Sequence, residues 1–206
     1  MAGFNVRSVL VTGANRGIGL ELVKQFLEKP NPPEWVFATC RDPEGERAQQ
    51  LKNLVSRHPN LVIVALEATD PASIKAAATR VEEHLKGSGL NLLINNAAVL
   101  KLNTLESETP EDMSLVYTTN VTGPMLVSQA ALNMLTKCQS LGYEGDGILS
   151  IAVHPGWVQT DMGISLSPEA PVTVDASVRG ILNVLPTLSE KDNGAFVSWE
   201  GKVLPW

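Results

Sequence analysis

Residues 12–19 read Thr12-Gly13-Ala14-Asn15-Arg16-Gly17-Ile18-Gly19, and they follow directly on an apolar run over residues 6–11. A strand that ends in a tight glycine turn and continues as a helix directs free backbone N–H groups at one point. That point attracts phosphate, because the helix dipole and the unpaired donors both favour negative charge. Gly13 allows the turn, while Gly17 and Gly19 let backbone and ligand approach closely. The stretch therefore predicts a dinucleotide-binding cleft.

The bulk composition is that of a globular protein. Of the 206 residues, 44% are hydrophobic and 18% are charged, which is typical of one domain with a sizeable core. The net charge of −6 argues against nucleic acid or an anionic membrane as the main partner. No apolar run approaches the roughly 18 residues of a membrane span, and no secretory signal is recognised. Cys40 and Cys138 lie far apart and indicate free thiols, so we expect a cytoplasmic protein.

Strand-like and helix-like segments alternate along the chain. We predict strands over residues 6–12, 35–40, 61–66, 90–94, 148–153 and 195–199. Helices are predicted over residues 18–28, 44–57, 71–86, 108–119, 124–141 and 172–188. Near-continuous apolar strands between amphipathic helices predict a doubly wound α/β fold with a parallel sheet covered on both faces. The expected strand order is 3-2-1-4 followed by the two late strands, and residues 1–206 are expected to form a single domain.

Four motifs occur in an order typical of one protein family. They are the glycine turn at 12–19, Asn95-Asn96-Ala97-Ala98 after the fourth strand, Asn120 in a helix, and Pro155-Gly156 followed by Thr160. Together they resemble the short-chain dehydrogenase/reductase family, and residues 154–163 and 201–206 resemble its branch of C-factor/sniffer-like carbonyl reductases. The resemblance covers nearly all of residues 6–206. It implies a Rossmann-like fold and an NADP(H)-dependent oxidoreductase that transfers hydride to a small carbonyl substrate.

One interruption breaks this resemblance. After the helix of Asn120, the family places a strand that ends in a catalytic Ser and then a helix that carries Tyr-x-x-x-Lys. Here Ala130-Ala131-Leu132-Asn133, which resembles the sequence after that Lys, comes directly after Val127-Ser128-Gln129. Gln129 stands where the Lys belongs, and Met125 stands where the Tyr belongs. The chain therefore resembles a family member that is one βα unit short, by roughly 30 or more residues.

The interruption bears directly on catalysis. Of the family's catalytic residues it leaves Asn120, which the resemblance implies holds a water in the proton relay. A missing general acid costs about 10²–10⁴ in rate. Tyr117 and Tyr143 are candidates for a replacement acid or, alternatively, packed or surface aromatics, while Ser128 and Lys137 are interpreted as ordinary helix and solvated residues. Three interpretations stay open: an active carbonyl reductase, a catalytically silent nucleotide-binding or protein-interaction variant, and an unstable product.

The resemblance also implies the residues of a nucleotide site. They are Gly13, Arg16, Gly17, Ile18 and Gly19 at the phosphates, Arg41, Glu67, Ala68, Asn95, Asn96 and Ala97 at the adenosine, and Pro155, Gly156, Val158 and Thr160 in the nicotinamide loop. We favour NADP, because Arg16 and Arg41 could clamp its 2′-phosphate, although Asp42 would favour the hydroxyl of NAD. Asn95 has a second interpretation, in which it only ties neighbouring strands together. No metal site is predicted.

Some polar and aromatic residues are expected to serve the fold alone. Asp70 is predicted to cap the helix over residues 71–86. His154 is predicted to be a packed histidine at a strand end. Trp157, Trp199 and Trp206 are interpreted as core or interface aromatics.

The interruption leaves the place of one strand open. The strand over residues 148–153 either lies beside residues 90–94 or leaves a slot with unpaired strand edges. Members of the family often pair through the helices that are joined here. Any homodimer is therefore expected to have an altered interface.

Overall fold

The computed structural model describes residues 6–104, 106–132, 148–166 and 169–205. Its strands are β1 (Ser8–Val11), β2 (Trp35–Cys40), β3 (Leu61–Ala65), β4 (Leu92–Ile94), β5 (Ala152–His154) and β6 (Phe196–Ser198). Its helices are α1 (Gly17–Leu27), α2 (Gln49–Val55), α3 (Pro71–Leu85), α4 (Pro110–Tyr117), α5 (Gly123–Leu132), α6 (Asp161–Leu166) and α7 (Val174–Val184). The chain divides into two compact units, one with the described residues up to 132 and one with those from 148 onward.

The first unit is built on a four-stranded parallel sheet. Its strand order is β3-β2-β1-β4, which confirms the predicted order of the first four strands. Helices α1, α2 and α3 connect the successive strands. Because all four strands run in the same direction, their carboxyl ends meet at one edge of the sheet. The loops that follow β1, β2, β3 and β4 therefore start from this edge.

The core of the first unit explains why its strands are almost entirely apolar. Val36, Phe37 and Ala38 of β2 are fully buried, which requires cover on both sides of the sheet. Helix α3 packs its buried side chains against Phe37 and its neighbours. The Asp70 carboxylate accepts a hydrogen bond of 2.9 Å from the N–H of Ala72, which confirms the predicted cap of this helix.

The two helices predicted over 108–119 and 124–141 are joined without a break. A turn of π-helix, Thr118–Thr122, connects α4 to α5, and the N–H of Gly123 donates to the carbonyl of Thr118. Pro124 has no N–H, so the carbonyl of Asn120 lacks the usual donor four residues on. A π-turn, in which a carbonyl accepts from the N–H five residues on, is compatible with the missing N–H at position 124. The predicted helix end and the turn at 142–147 lie outside the described residues.

The second unit has a sheet of its own. Strands β5 and β6 pair in parallel, from Ala152 opposite Phe196 to His154 opposite Ser198. The expectation that the late strands continue the first sheet is therefore wrong for the described residues, since β6 supplies the backbone partners of β5. The short helix α6 was not predicted. Helix α7 ends earlier than predicted and continues as a 3₁₀ turn that contains Pro186.

Searched over its described residues, the chain has no helix long and apolar enough to cross a membrane.

Candidate functional site

The glycine turn after β1 is shaped as an anion site. Gly13 has a φ of +64°, and a Cβ built on it would lie 2.9 Å from the Cα of Ala97. A Cβ on Gly19 would collide with the Gly13 carbonyl and lie 2.6 Å from the Asn96 amide nitrogen. Only glycine fits at either position. Helix α1 begins here without a side-chain cap from Arg16 and without an acidic residue in its first turn, so the N–H groups and dipole at its start favour an anion.

Thr12 and Asn96 hold this turn against the end of β4. The buried Thr12 hydroxyl accepts hydrogen bonds from the N–H groups of Asn96 (3.0 Å) and Ala97 (2.9 Å). The Asn96 amide nitrogen donates to the carbonyls of Thr12 (2.9 Å) and Gly13 (3.2 Å). Sequence reasoning missed the role of Thr12. Its place at the end of the predicted strand 6–12, directly before the glycine turn, was the available signal.

Among the described residues, the Asn95 side chain bonds to a helix and not to a neighbouring strand, unlike its second interpretation. Its amide nitrogen donates to the Ser128 hydroxyl at 3.1 Å and so connects the end of β4 to α5. Asn96 instead ties the ends of β1 and β4 together, in addition to the Ser8–Asn91 hydrogen bonds near their starts. Ser128 therefore has a hydrogen-bonding role beyond that of an ordinary helix residue.

Arg41 and Glu67 meet beyond the ends of β2 and β3. The Arg41 Nε lies 3.9 Å from the Glu67 Oε2. The neighbouring Asp42 carboxylate accepts from the N–H groups of Glu44 (3.1 Å) and Gly45 (2.9 Å), so it is engaged in its own loop. Burial, and after it the Asp42 charge, raises the pKa of the free Cys40 thiol, which makes it a poor nucleophile. Cys138 lies outside the described residues.

Asn120 is fixed in the π-turn by a two-way amide pair. Its Oδ1 accepts from the N–H of Val99 at 2.9 Å, and its Nδ2 donates to the carbonyl of Val99 at 2.8 Å. Ala68 packs nearby, since a Cβ on Gly123 would lie 3.0 Å from the Ala68 carbonyl oxygen. The pair occupies the side-chain amide of Asn120. The phenol of Tyr117, one turn earlier, is 63% exposed, and Tyr143 lies outside the described residues.

The loop after β5 holds the predicted nicotinamide residues of the second unit. Gly156 has a φ of +86°, and a Cβ on it would lie 3.0 Å from the indole nitrogen of Trp199. The Pro155 carbonyl accepts a 2.6 Å hydrogen bond from the Ser177 hydroxyl, and the Thr160 hydroxyl accepts from the N–H of Gly163 at 3.1 Å. Val158 is buried, and its carbonyl accepts from the N–H of Thr160 at 2.7 Å.

The exposure of two aromatic residues of this loop bears on their predicted roles. His154 stands at the end of β5 as predicted, but it is exposed. Its ring lies edge-on to Phe196 with 6.1 Å between the centroids, and its Nδ1 accepts from the N–H of Gly156 at 3.0 Å. Trp157 is exposed, so it is not a core residue, and its place at an interface stays a prediction; its indole donates to the carbonyl of Gly163. Trp206 lies outside the described residues.

The structure thus brings part of the predicted site together. Gly13, Gly19, Asn96 and Ala97 form one cluster, and Arg41 and Glu67 form a pair on the same edge of the sheet. Arg16, Gly17 and Ile18 lie at the start of α1, next to that cluster in sequence. In the ranges that the structure covers, no three His, Cys, Asp or Glu side chains are grouped so that they could hold a metal ion.

A family profile described as short chain dehydrogenase matches residues 7–140, which is more than half of the chain. The chain belongs to the short chain dehydrogenase family. An NADPH-bound carbonyl reductase from chicken fatty liver is 54% identical, with a TM-score of 0.92 over 98% of this chain and 100% of that one. The carbonyl reductase Sniffer of Drosophila melanogaster is 28% identical, with a TM-score of 0.86 over 98% and 100%.

A curated relative adds a comparison of length. An uncharacterized oxidoreductase of Schizosaccharomyces pombe is 29% identical over 250 residues, which cover 95% of this chain and 96% of the relative. This short chain dehydrogenase has 206 residues, fewer than the alignment spans. By family it is an oxidoreductase of the carbonyl reductase type.

Proposed function

We propose that this chain binds NADP(H) at the glycine turn and catalyses carbonyl reduction only at a severely reduced rate. The observation that carries the proposal is the packing of Gly13 and Gly19 against residues 96–97, where a Cβ would fill the space beside the uncapped start of α1. This cradle fits a pyrophosphate. When bound, the nicotinamide supplies the hydride. The chain's own residues hold the phosphates and the adenosine.

The preference for NADP(H) over NAD(H) rests on Arg41. Its guanidinium follows β2, where the ribose 2′ position is met in nucleotide-binding sheets of this kind. Asp42, the acid that would favour NAD, is engaged by two backbone N–H groups of its own loop. The NADPH in the chicken carbonyl reductase supports the same choice.

Replacing Arg41 by alanine is expected to weaken NADPH binding about tenfold, because a charge-assisted contact with the 2′-phosphate is lost. NADH binding is expected to change little, since its ribose carries a neutral hydroxyl. A titration of NADPH fluorescence measures both constants. Arg80→Ala, which removes an exposed arginine from α3, is the matched control. Absence of a saturable NADPH signal with the unmodified protein would overturn the proposed function and, together with a low melting temperature, would leave the unstable product.

The reduced rate follows from the sequence around the interruption. Tyr117 and Tyr143 are the two tyrosines of the chain, and the residues four positions on are Val121 and Gly147, so Tyr-x-x-x-Lys is absent. The alignment of 250 residues with the fission yeast oxidoreductase supports a missing βα unit, since this chain has 206. The small carbonyl substrate remains a proposal from family resemblance. A cytoplasmic location likewise remains a proposal, and the buried free thiol of Cys40 supports it.

We further propose that two copies of the chain pair through the helix that runs from α4 to α5. Met113, Tyr117, Val121 and Met125 recur every four residues along it, and all four are exposed. A row of exposed apolar side chains on one side of a helix favours a protein partner. An isologous dimer would bury this row on both copies.

Tyr117→Glu is expected to convert such a dimer to a monomer, because it places a charge in the middle of the apolar row. Native mass spectrometry measures the change. Val203→Glu, which adds the same charge at an exposed valine of the second unit, is expected to leave the mass unchanged. A monomeric unmodified protein would contradict the proposed pairing.

A further inference from the structure

Arg41 and Glu67 are brought together by the register of two neighbouring strands. Strands β2 and β3 are parallel, and Cys40 pairs with Ala65, so the residues that follow them leave the sheet side by side. The Arg41 Nε then lies 3.9 Å from the Glu67 Oε2. The contact is an ion pair of two side chains that are both open to solvent.

The two partners differ in how firmly they are held. The other carboxylate oxygen of Glu67 accepts from the N–H (3.2 Å) and the hydroxyl (3.1 Å) of Thr69, and the Glu67 N–H donates to the Ser73 hydroxyl at 2.9 Å. The Glu67 side chain is 36% exposed, whereas that of Arg41 is 72% exposed. The carboxylate is therefore the fixed member of the pair, and the guanidinium is the member that can turn toward another anion.

We propose that Glu67 is a specificity-determining residue that weakens the preference of this site for NADP(H) over NAD(H). The inference rests on the proposed nucleotide binding. A 2′-phosphate at Arg41 must share the guanidinium with a carboxylate that is already in place, and the two anions repel each other. A 2′-hydroxyl is neutral, so it neither competes with the carboxylate for the guanidinium nor is repelled by it. Glu67 therefore lowers the affinity for NADP(H) selectively.

An opposite role for Glu67 predicts an opposite sign. If the carboxylate oriented the guanidinium for the phosphate, its removal would weaken NADP(H) binding. The distance favours competition, because 3.9 Å between Nε and Oε2 is too long for the hydrogen bond that would fix the guanidinium plane. The experiment below distinguishes the two roles by the direction of the change.

Glu67→Gln keeps the side-chain length and an oxygen for the Thr69 hydrogen bonds but removes the charge. We expect the ratio of the Kd for NADPH to the Kd for NADH to fall about threefold at low salt, in the range of an exposed ion pair, whereas a contact of Glu67 with the shared adenosine would change both constants alike. The gain in NADPH affinity should shrink as salt is raised. Fluorescence titration with both nucleotides gives the ratio, and the melting temperature checks the fold.

Two controls sharpen the result. Glu83→Gln removes the acid of another exposed arginine–glutamate pair, Arg80–Glu83 on α3, and is expected to leave both constants unchanged. In an Arg41→Ala background, Glu67→Gln is expected to keep only the part of the selective gain that comes from direct repulsion between the carboxylate and the 2′-phosphate, because the shared guanidinium is gone. If both nucleotides bind but Glu67→Gln leaves the ratio of their Kd values unchanged, or changes it in favour of NADH, the proposed competition is wrong. The proposed nucleotide binding is then unaffected. If neither nucleotide binds the unmodified protein, the proposed function fails and the inference fails with it.

Discussion

The unmodified chain is expected to oxidise NADPH with a quinone or an aldehyde about 10²–10⁴-fold more slowly than the chicken carbonyl reductase does, because the proposed loss of Tyr-x-x-x-Lys leaves it without the general acid of the family. The alkoxide that forms on hydride transfer needs a proton. Tyr117 has an exposed phenol, and no lysine follows either tyrosine at the family spacing. The absorbance of NADPH, followed over time, measures the rate of its oxidation. A rate equal to that of the chicken protein would show that another residue supplies the proton.

Insertion of the corresponding βα segment from the chicken carbonyl reductase, between Gln129 and Ala130, is expected to recover most of that factor. Asn120, the proposed relay residue, is held in place by Val99 at 2.9 Å and 2.8 Å. The control is the same insertion with phenylalanine in place of the inserted tyrosine. If the chain with the insertion folds but is inactive, the cause of its reduced rate lies elsewhere in the chain.

The first unit was predictable because its signals are local. The run 35–40 is apolar on both faces and became β2 with the predicted bounds. The glycine turn needs a positive φ at Gly13, and the structure has it. The parallel order of the first four strands follows from helical connections between buried strands. In the first two cases, neighbouring residues contain the cause.

The features that sequence reasoning missed depend on distant contacts. Strands β5 and β6 pair with each other although a loop, α6 and α7 lie between them in sequence. No local sequence pattern predicts this pairing. The π-turn at Thr118–Thr122 arises where a fixed Asn120 meets Pro124, and the sequence pattern showed only two helices there. The Arg41–Glu67 pair exists because of the β2–β3 register, which a single sequence does not specify. The residues of the candidate site could therefore be predicted from the sequence, but the contacts between them could not.

Thr12→Val is expected to lower the free energy of unfolding by about 2–4 kcal/mol, because two backbone N–H groups lose their acceptor at once. The substitution keeps the shape of a buried side chain and removes the oxygen that binds the N–H groups of Asn96 and Ala97. Urea denaturation followed by circular dichroism measures the change, with an unaltered slope against urea. NADPH binding is expected to weaken as well, since residues 96–97 pack against Gly13 and Gly19.

The neighbouring strand offers a matched control with the opposite expected sign. Thr39 of β2 is fully buried, and its hydroxyl has no hydrogen-bond partner within the part of the chain that the structure describes. Thr39→Val therefore removes an unpaired polar group and is expected to stabilise the fold by about 1 kcal/mol. The two variants make the same chemical change one strand apart. If both lowered stability equally, loss of a hydroxyl in the core would be the cause, and the Thr12 link between β1 and β4 would not hold the nucleotide turn in place.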